Sequence, residues 1–494
     1  MKKILASFLI LISLLSLFTG CTTDTENKPQ GESQIQSSTT TTESVNVDSS
    51  NPTTDMFTER DFKTEYDESN AVTIKLNGAS ATASSDSVNI SGSTITITEE
   101  ATYIVSGELT DGMLIVNAPD SAKLQIVLSG ANITNKTSAA LYILEADKVF
   151  LTLADGTTNT LANGGTFTAI DDNNIDAALF SKQDLTMNGK GSLTVTSPAG
   201  HGVVCKDDLV VTGGTYTVNS SPHGLDVNDS VRITNATLNI DAGKDAIHAE
   251  NTDDTSLGFI YIGGGTIKAE AEGDGIAAGA YIQIADGMID LLVGGGSENG
   301  IKENSDNFGG FMGGGHGGGR PGEMRPDSSQ GSTITTDESS TSMKGLKATN
   351  SLLISGGNFT INSADDSVHS DVSVIINGGT FGTFFAWTHA VVDIYGATID
   401  TLYCGTCDST KHSWMTIHSG TKIDKVICCE PRCPYGTKEY STTMTIKSGA
   451  EIGSLQLVST DVEFLIIEEG AKVGKITCEG VEYTYEELRS AMGL

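Results

Sequence analysis

His201-Gly202-Val203, His223-Gly224-Leu225, Asp245-Ala246-Ile247 and Asp274-Gly275-Ile276 open four stretches of this chain in one way: a polar residue, a small one, then an aliphatic. The aliphatics at 203, 225, 247 and 276 lie 22, 22 and 29 residues apart; Asn299-Gly300-Ile301 follows after 25, and Gly345-Leu346 and Ser367-Val368 resume the step of 22. Ala140-Leu141 and Ala178-Leu179 begin looser copies upstream. Each copy holds two further alternating runs, such as Leu209-Val210-Val211 and Thr215-Tyr216-Thr217-Val218, with Gly213-Gly214 between them. The same turn recurs at Gly263-Gly264-Gly265, Gly356-Gly357 and Gly378-Gly379. Three short strands and their turns use about 22 residues, the length of one solenoid coil. The pattern predicts an all-β chain folded as a right-handed parallel β-helix. A string of antiparallel sandwiches would show Asn-Gly hairpins and no strict register.

Outward from this centre the period loosens. Residues 71–165 keep the alternation, in Val72-Thr73-Ile74, Ile95-Thr96-Ile97 and Leu124-Gln125-Ile126-Val127-Leu128, and are expected to form the first coils. Residues 384–494 repeat a different unit, in Met415-Thr416-Ile417, Met444-Thr445-Ile446 and Leu465-Ile466-Ile467, and are expected to extend the solenoid with changed turns. Residues 484–492 read as a short helix able to cap an open strand edge. Within the domain of residues 71–383, residues 304–343 form a Gly-rich and then Ser/Thr-rich insertion, without the Gly-Lys-Ser/Thr frame of a phosphate cradle.

The N-terminal end reads as an export signal. Lys2 and Lys3 precede an apolar run over residues 4–18, then Thr19-Gly20-Cys21. The run is shorter than the roughly 20 residues a spanning helix needs. Residues 1–20 resemble a bacterial lipoprotein signal, which implies lipidation of Cys21 and a place on the extracellular face of the cell membrane. Phe18 stands where that motif has Leu, and the alternative is cleavage near Gly20 without a lipid. Residues 21–70 are mostly polar and read as a disordered tether.

The chain carries 63 Asp and Glu against 29 Lys and Arg, a formal net charge of −34, which excludes nucleic acid as a natural partner. When the copies are aligned on the aliphatic, residues two places before it read His201, His223, Asp245, Asp274, Asn299, Lys344, Asp366. One place after it stand Val204, Asp226, His248, Ala277, Lys302, Lys347, His369. Equivalent positions in adjacent coils stack about 4.8 Å apart. Asp226, Asp229, Asp245, Glu250 and Asp274 would therefore crowd and repel unless a cation neutralises them. Many hard oxygen donors suit calcium. Asp365, Asp366 and Asp371 form a second such group. The plainer reading is that Asp and Asn stabilise solenoid turns. His223, His248 and Lys302 are candidates for contacting a ligand on this face.

Further motifs carry a family resemblance. Ala101-Thr-Tyr-Ile-Val-Ser-Gly-Glu-Leu-Thr-Asp-Gly112, Ala146-Asp-Lys-Val149 with Leu153-Ala-Asp-Gly156, and the Gly-Leu-Asp, Asp-Ala-Ile-His and Asp-Gly-Ile corners resemble the clostridial-type carbohydrate-binding β-helix proteins. The resemblance covers roughly residues 71–383. It implies a surface protein, similar in fold to pectate lyases, that binds cellulose and pectin-like acidic polysaccharide with calcium near the Asp corners. Calcium would bridge an acidic protein to an acidic polymer. The first alternative is a calcium-dependent lyase acting by β-elimination, which needs a basic side chain such as Lys206, Lys244 or Lys302; spacing singles out none of them. The second is a structural or adhesive surface protein. A monomer is expected in each case.

Seven cysteines follow Cys21, five of them from Cys404 to Cys433. Disulfides, a zinc site and a packed column of Cys404, Cys428 and Cys478 with Leu457 are all compatible with the spacing. Trp387 and Trp414 are compatible with sugar stacking or with burial.

Overall fold

A computed structural model describes residues 56–299, 342–386, 391–404, 414–428, 443–457, 465–478 and 480–491. One full coil is made by strands Leu225–Val227, Ser230–Ile233 and Thr237–Ala242, and this triplet recurs along the central chain. Each strand pairs in parallel with its counterpart in the next coil, giving the parallel β-helix that the repeat predicts. Parallel crossovers are right-handed by the general rule for twisted strands. Antiparallel pairs occur among the described strands only near the ends, where Ala81–Ala83, Val88–Ser91 and Val481–Tyr483 fold back on their neighbours.

Among the described residues, the first face of the solenoid is an 11-stranded sheet built mostly of short strands. Its register joins Val203 to Leu225, Leu225 to Ile247, Ile247 to Ile276, Ile276 to Leu346 and Leu346 to Val368. These aliphatics are buried, as are Val231, Ile260 and Ile282 on the second face and Tyr216, Leu238 and Ile267 on the third. A slip of one residue would turn a whole strand's apolar set toward water, so the columns hold the register. The small residue before the aliphatic has a steric cause. A Cβ on Gly224 would lie 2.4 Å from Ile240 Cγ2 and 2.5 Å from the Ala246 carbonyl.

Ile276 pairs directly with Leu346, so Lys347 follows Ala277 in the outward column. Ile301 and the insertion of residues 304–341 lie outside the described residues. Lys302 lies outside the described residues, as do Cys21, Trp387 and the cysteines at 407, 429 and 433.

Pairing runs on across residue 384: Ser373–Ile376 pairs with Val391–Ile394, and Phe381 with Ile399. Beyond Ser370 the described strands belong to the second and third faces. Cys404 pairs with Cys428 and Leu457 with Cys478, and the Cys404 and Cys428 sulfurs lie 3.2 Å apart. The helix Tyr485–Ala491 closes this end, burying Leu488. Near the other end, the helical turn Glu59–Phe62 docks on the outside of the second face. Its Asp61 is 1% exposed, lies 3.0 Å from Lys148 Nζ and accepts a hydrogen bond from Thr186.

Candidate binding and metal site

The outward side of the short strands carries the charged ladder. Each coil's corner is tied to the next by backbone bonds, for example from Gly224 N–H to the Asp245 carbonyl and from Leu225 N–H to the Ala246 carbonyl. Side chains of the leading column continue the ties. Asp245 N–H donates to His223 Nδ1 (3.2 Å), Asp274 N–H to Asp245 Oδ1 (2.6 Å) and Lys344 N–H to Asp274 Oδ1 (2.7 Å). Much of this acidic column therefore satisfies turn backbone, as Asp does in ordinary turns.

The expected carboxylates are mostly met by the chain's own cations. Asp226 lies 2.9 Å from His248, whose other nitrogen lies 3.5 Å from Glu250. Asp274, 1% exposed, pairs with Lys347 at 3.0 Å. In the second group Lys344 pairs with Asp365, and His369 sits between Asp366 at 2.9 Å and Asp371 at 3.1 Å. The repulsion anticipated from a pure carboxylate stack is thus offset by interleaved Lys and His, which the coil register places opposite acids. Asp229 stands apart from the other four of its group. It accepts from Asn251 and neighbours Asp207 at the next corner.

Three imidazoles stack along the ladder. His201 and His223 have centroids 5.2 Å apart at 11°, and His223 and His248 lie 4.7 Å apart at 15°. Their electrostatics differ. Burial opposes charge on His248, but hydrogen bonds to Asp226 and Glu250 raise it to about 10, so it is a cation at neutral pH. Burial and the neighbouring His248 charge push His223 down to about 3, leaving it neutral. Burial also lowers His201. Burial disfavours the Asp226 carboxylate, yet the His248 hydrogen bond and the imidazoles hold it below the usual range. Burial and Asp274 together raise Asp245.

His201, His223 and Asp226 offer ligand atoms all within 4.8 Å of one another, a group able to hold a metal ion. His201 stands in the leading column of the aligned copies but is not among the ligand candidates that the sequence reading names.

A further carboxylate group lies at the corner leading to the second face. Asp184, Asp207, Asp208 and Asp229 come from three successive coils, with Arg232 pairing Asp208 at 2.9 Å. Burial and the three neighbouring carboxylates raise Asp207 to about 6. Of these four only Asp229 is expected from the sequence; Asp184 and Asp208 open strands of the second face and Asp207 lies in the turn before one, all outside the aligned columns.

Residues 91–386 match the family of carbohydrate-binding domain-containing proteins. A carbohydrate-binding domain-containing protein of Acetivibrio thermocellus is 35% identical over 212 residues, which span 42% of this chain and 74% of that protein. A solved structure, a polysaccharide lyase-like protein from C. thermocellum in a gadolinium derivative, is 35% identical and covers 46% of this chain and 92% of its own, with a TM-score of 0.44. With its repeated corners and polar outer ladder inside the matched span, the chain belongs to the carbohydrate-binding domain-containing protein family.

Proposed function

We propose that this protein is a bacterial surface lipoprotein, anchored through Cys21, that binds acidic, pectin-like and also cellulosic polysaccharide along the outer face of its solenoid with the help of calcium. The observation that carries the calcium reading is the corner of Asp184, Asp207, Asp208 and Asp229, where four carboxylates gather beside Arg232, with Lys148 acting on Asp184. Its donors are hard oxygens, and they outnumber the two cations that act on them, Arg232 and Lys148. Those are the terms on which calcium is held. Asp226, Asp274, Asp365, Asp366 and Asp371 fit calcium less well, because each is already paired with His or Lys. Calcium bound at the corner would supply positive charge for uronate carboxylates, and the His223 and His248 edges would offer polar contacts beside it.

The test is retention of the purified mature protein on polygalacturonate and on cellulose, with and without EDTA, while following ultraviolet absorbance for unsaturated products. Calcium-dependent retention on polygalacturonate at constant absorbance is expected, weakened at least about tenfold by Asp207→Asn. Retention unchanged by EDTA removes calcium from the reading. Rising absorbance would instead mean β-elimination. For that chemistry the paired lysines are poorly suited as bases, since the carboxylates around Lys344 outweigh its burial and keep it charged.

A further inference from the structure

We infer that His201, His223 and Asp226 form a binding site for one divalent ion of the zinc, nickel and cobalt class, separate from any calcium at the Asp207 corner. The three side chains come from adjacent coils and converge within 4.8 Å. They are held by the solenoid itself. Val203 pairs with Leu225, which brings His201 and His223 into one stack, and Asp226 follows Leu225 directly.

Two buried atoms here lack a hydrogen-bond partner: His201 Nδ1 and Asp176 Oδ1. The two residues interact electrostatically, and the His201 N–H donates to the Asp176 carbonyl. Buried polar atoms are rarely left unpaired, so these two are candidates to take a partner at this site. The donor chemistry narrows the choice. Two imidazoles and one carboxylate match borderline transition ions, whereas calcium takes six to eight oxygens.

The surroundings have the form of a supporting shell. His223 Nδ1 lies 3.2 Å from the Asp245 N–H that it accepts from and 3.4 Å from Asp245 Oδ2, so ion binding at Nε2 would move the ring to its Nδ1–H tautomer, exchanging the first bond for one donated to the carboxylate. Asp226 Oδ1 is held by His248, which leaves its other oxygen available. Three protein ligands leave a coordination position open to water or to an oxygen of a bound molecule.

The test is titration of the EDTA-stripped, full-length mature protein with Co2+, read by its visible d–d bands and by calorimetry, followed by competition with Zn2+ and then Ca2+. One Co2+ per chain is expected, displaced by Zn2+ and not by Ca2+. The spectrum should lack thiolate-to-cobalt charge transfer, which separates this site from Cys404 and Cys428. His223→Gln and Asp226→Asn should each weaken binding at least about tenfold, as loss of a ligand does. His418→Gln, a histidine on a distant coil, should leave it unchanged, and circular dichroism and melting confirm that each variant is folded. Because a folded variant can still be distorted, His201→Gln serves as a second probe, removing the residue with the orphaned nitrogen. The proposal fails if Ca2+ competes equally, if the histidine variants bind Co2+ as wild type does, if thiolate bands carry the signal, or if no Co2+ binds. Co2+ binding that survives His223→Gln while polysaccharide retention is lost in Asp207→Asn would sink this inference and leave the calcium reading standing.

Discussion

At the scale of single residues, the ladder works by alternating charge. His369 illustrates it: burial resists its protonation, but Asp366 and Asp371 on either side raise it to about 9. Its folded value stands above the ordinary 6.5, so its stabilisation is complete below about pH 6.5 and is lost as pH rises through about 9. The shift corresponds to about 3 kcal/mol as an upper bound. Burial raises the adjacent Asp366 to about 6, so that carboxyl group loses its own contribution at lower pH, as pH rises from about 4 to 6, outside the His369 window. In denaturant titrations from pH 5 to 10, His369→Gln should therefore lie furthest below wild type under pH 6.5, with the two curves converging above pH 9. A gap independent of pH would mean that His369 acts through packing and not through charge.

At the scale of elements, the turn Glu59–Phe62 is a segment outside the coils that is fixed by side-chain contacts to them. Asp61 accepts from the Thr58 N–H and hydroxyl at 2.8 Å and from Thr186 at 2.7 Å, and Lys148 completes its shell at 3.0 Å. Its carbonyl accepts from Asn188 and Thr212, and Arg60 lies over the Phe150 ring at 4.6 Å. Burial raises the Asp61 carboxyl, but these hydrogen bonds and Lys148 more than reverse the effect. Removing one member of such a buried pair costs about 3–5 kcal/mol. Asp61→Ala should accordingly expose Arg60 and Lys63 to trypsin on the order of 100-fold faster, while the coils keep their circular dichroism. Unchanged cleavage would show that Phe57, packed edge-on against Tyr261 at 5.8 Å, anchors the segment alone. Sequence reading places residues 21–70 in a tether because Asp61 carries its meaning through Lys148 and Thr186, more than 80 residues away.

At the scale of the whole molecule, the repeat was legible because each coil must supply its own inward aliphatics at fixed spacing, and Val203, Leu225 and Ile247 do so. What the ladder pairs with was less legible, since Lys347 and His369 become partners of Asp274 and Asp366 only through the rise of the coils. The same nearest-neighbour logic governs stability, because each coil rests only on the coils beside it and the two ends must be closed. Here the family match ends at residue 386, inside the solenoid, while the closing elements Val481–Tyr483 and Tyr485–Ala491 lie a further hundred or so residues on. A chain ending after Ala386 would leave strands Ser373–Ile376 and Thr380–Ala386 without the partners Val391–Ile394 and Thr398–Cys404. Open parallel edges pair with other chains. Such a truncation should therefore keep its β circular dichroism per residue and its Co2+ site, and should self-associate in light scattering where the full-length protein does not. A monomeric truncation would show that the last coils serve another purpose than closing the edge, and the half-exposed Trp414 and the stacked Tyr395–His418 pair would then be the first surface to examine for sugar contact.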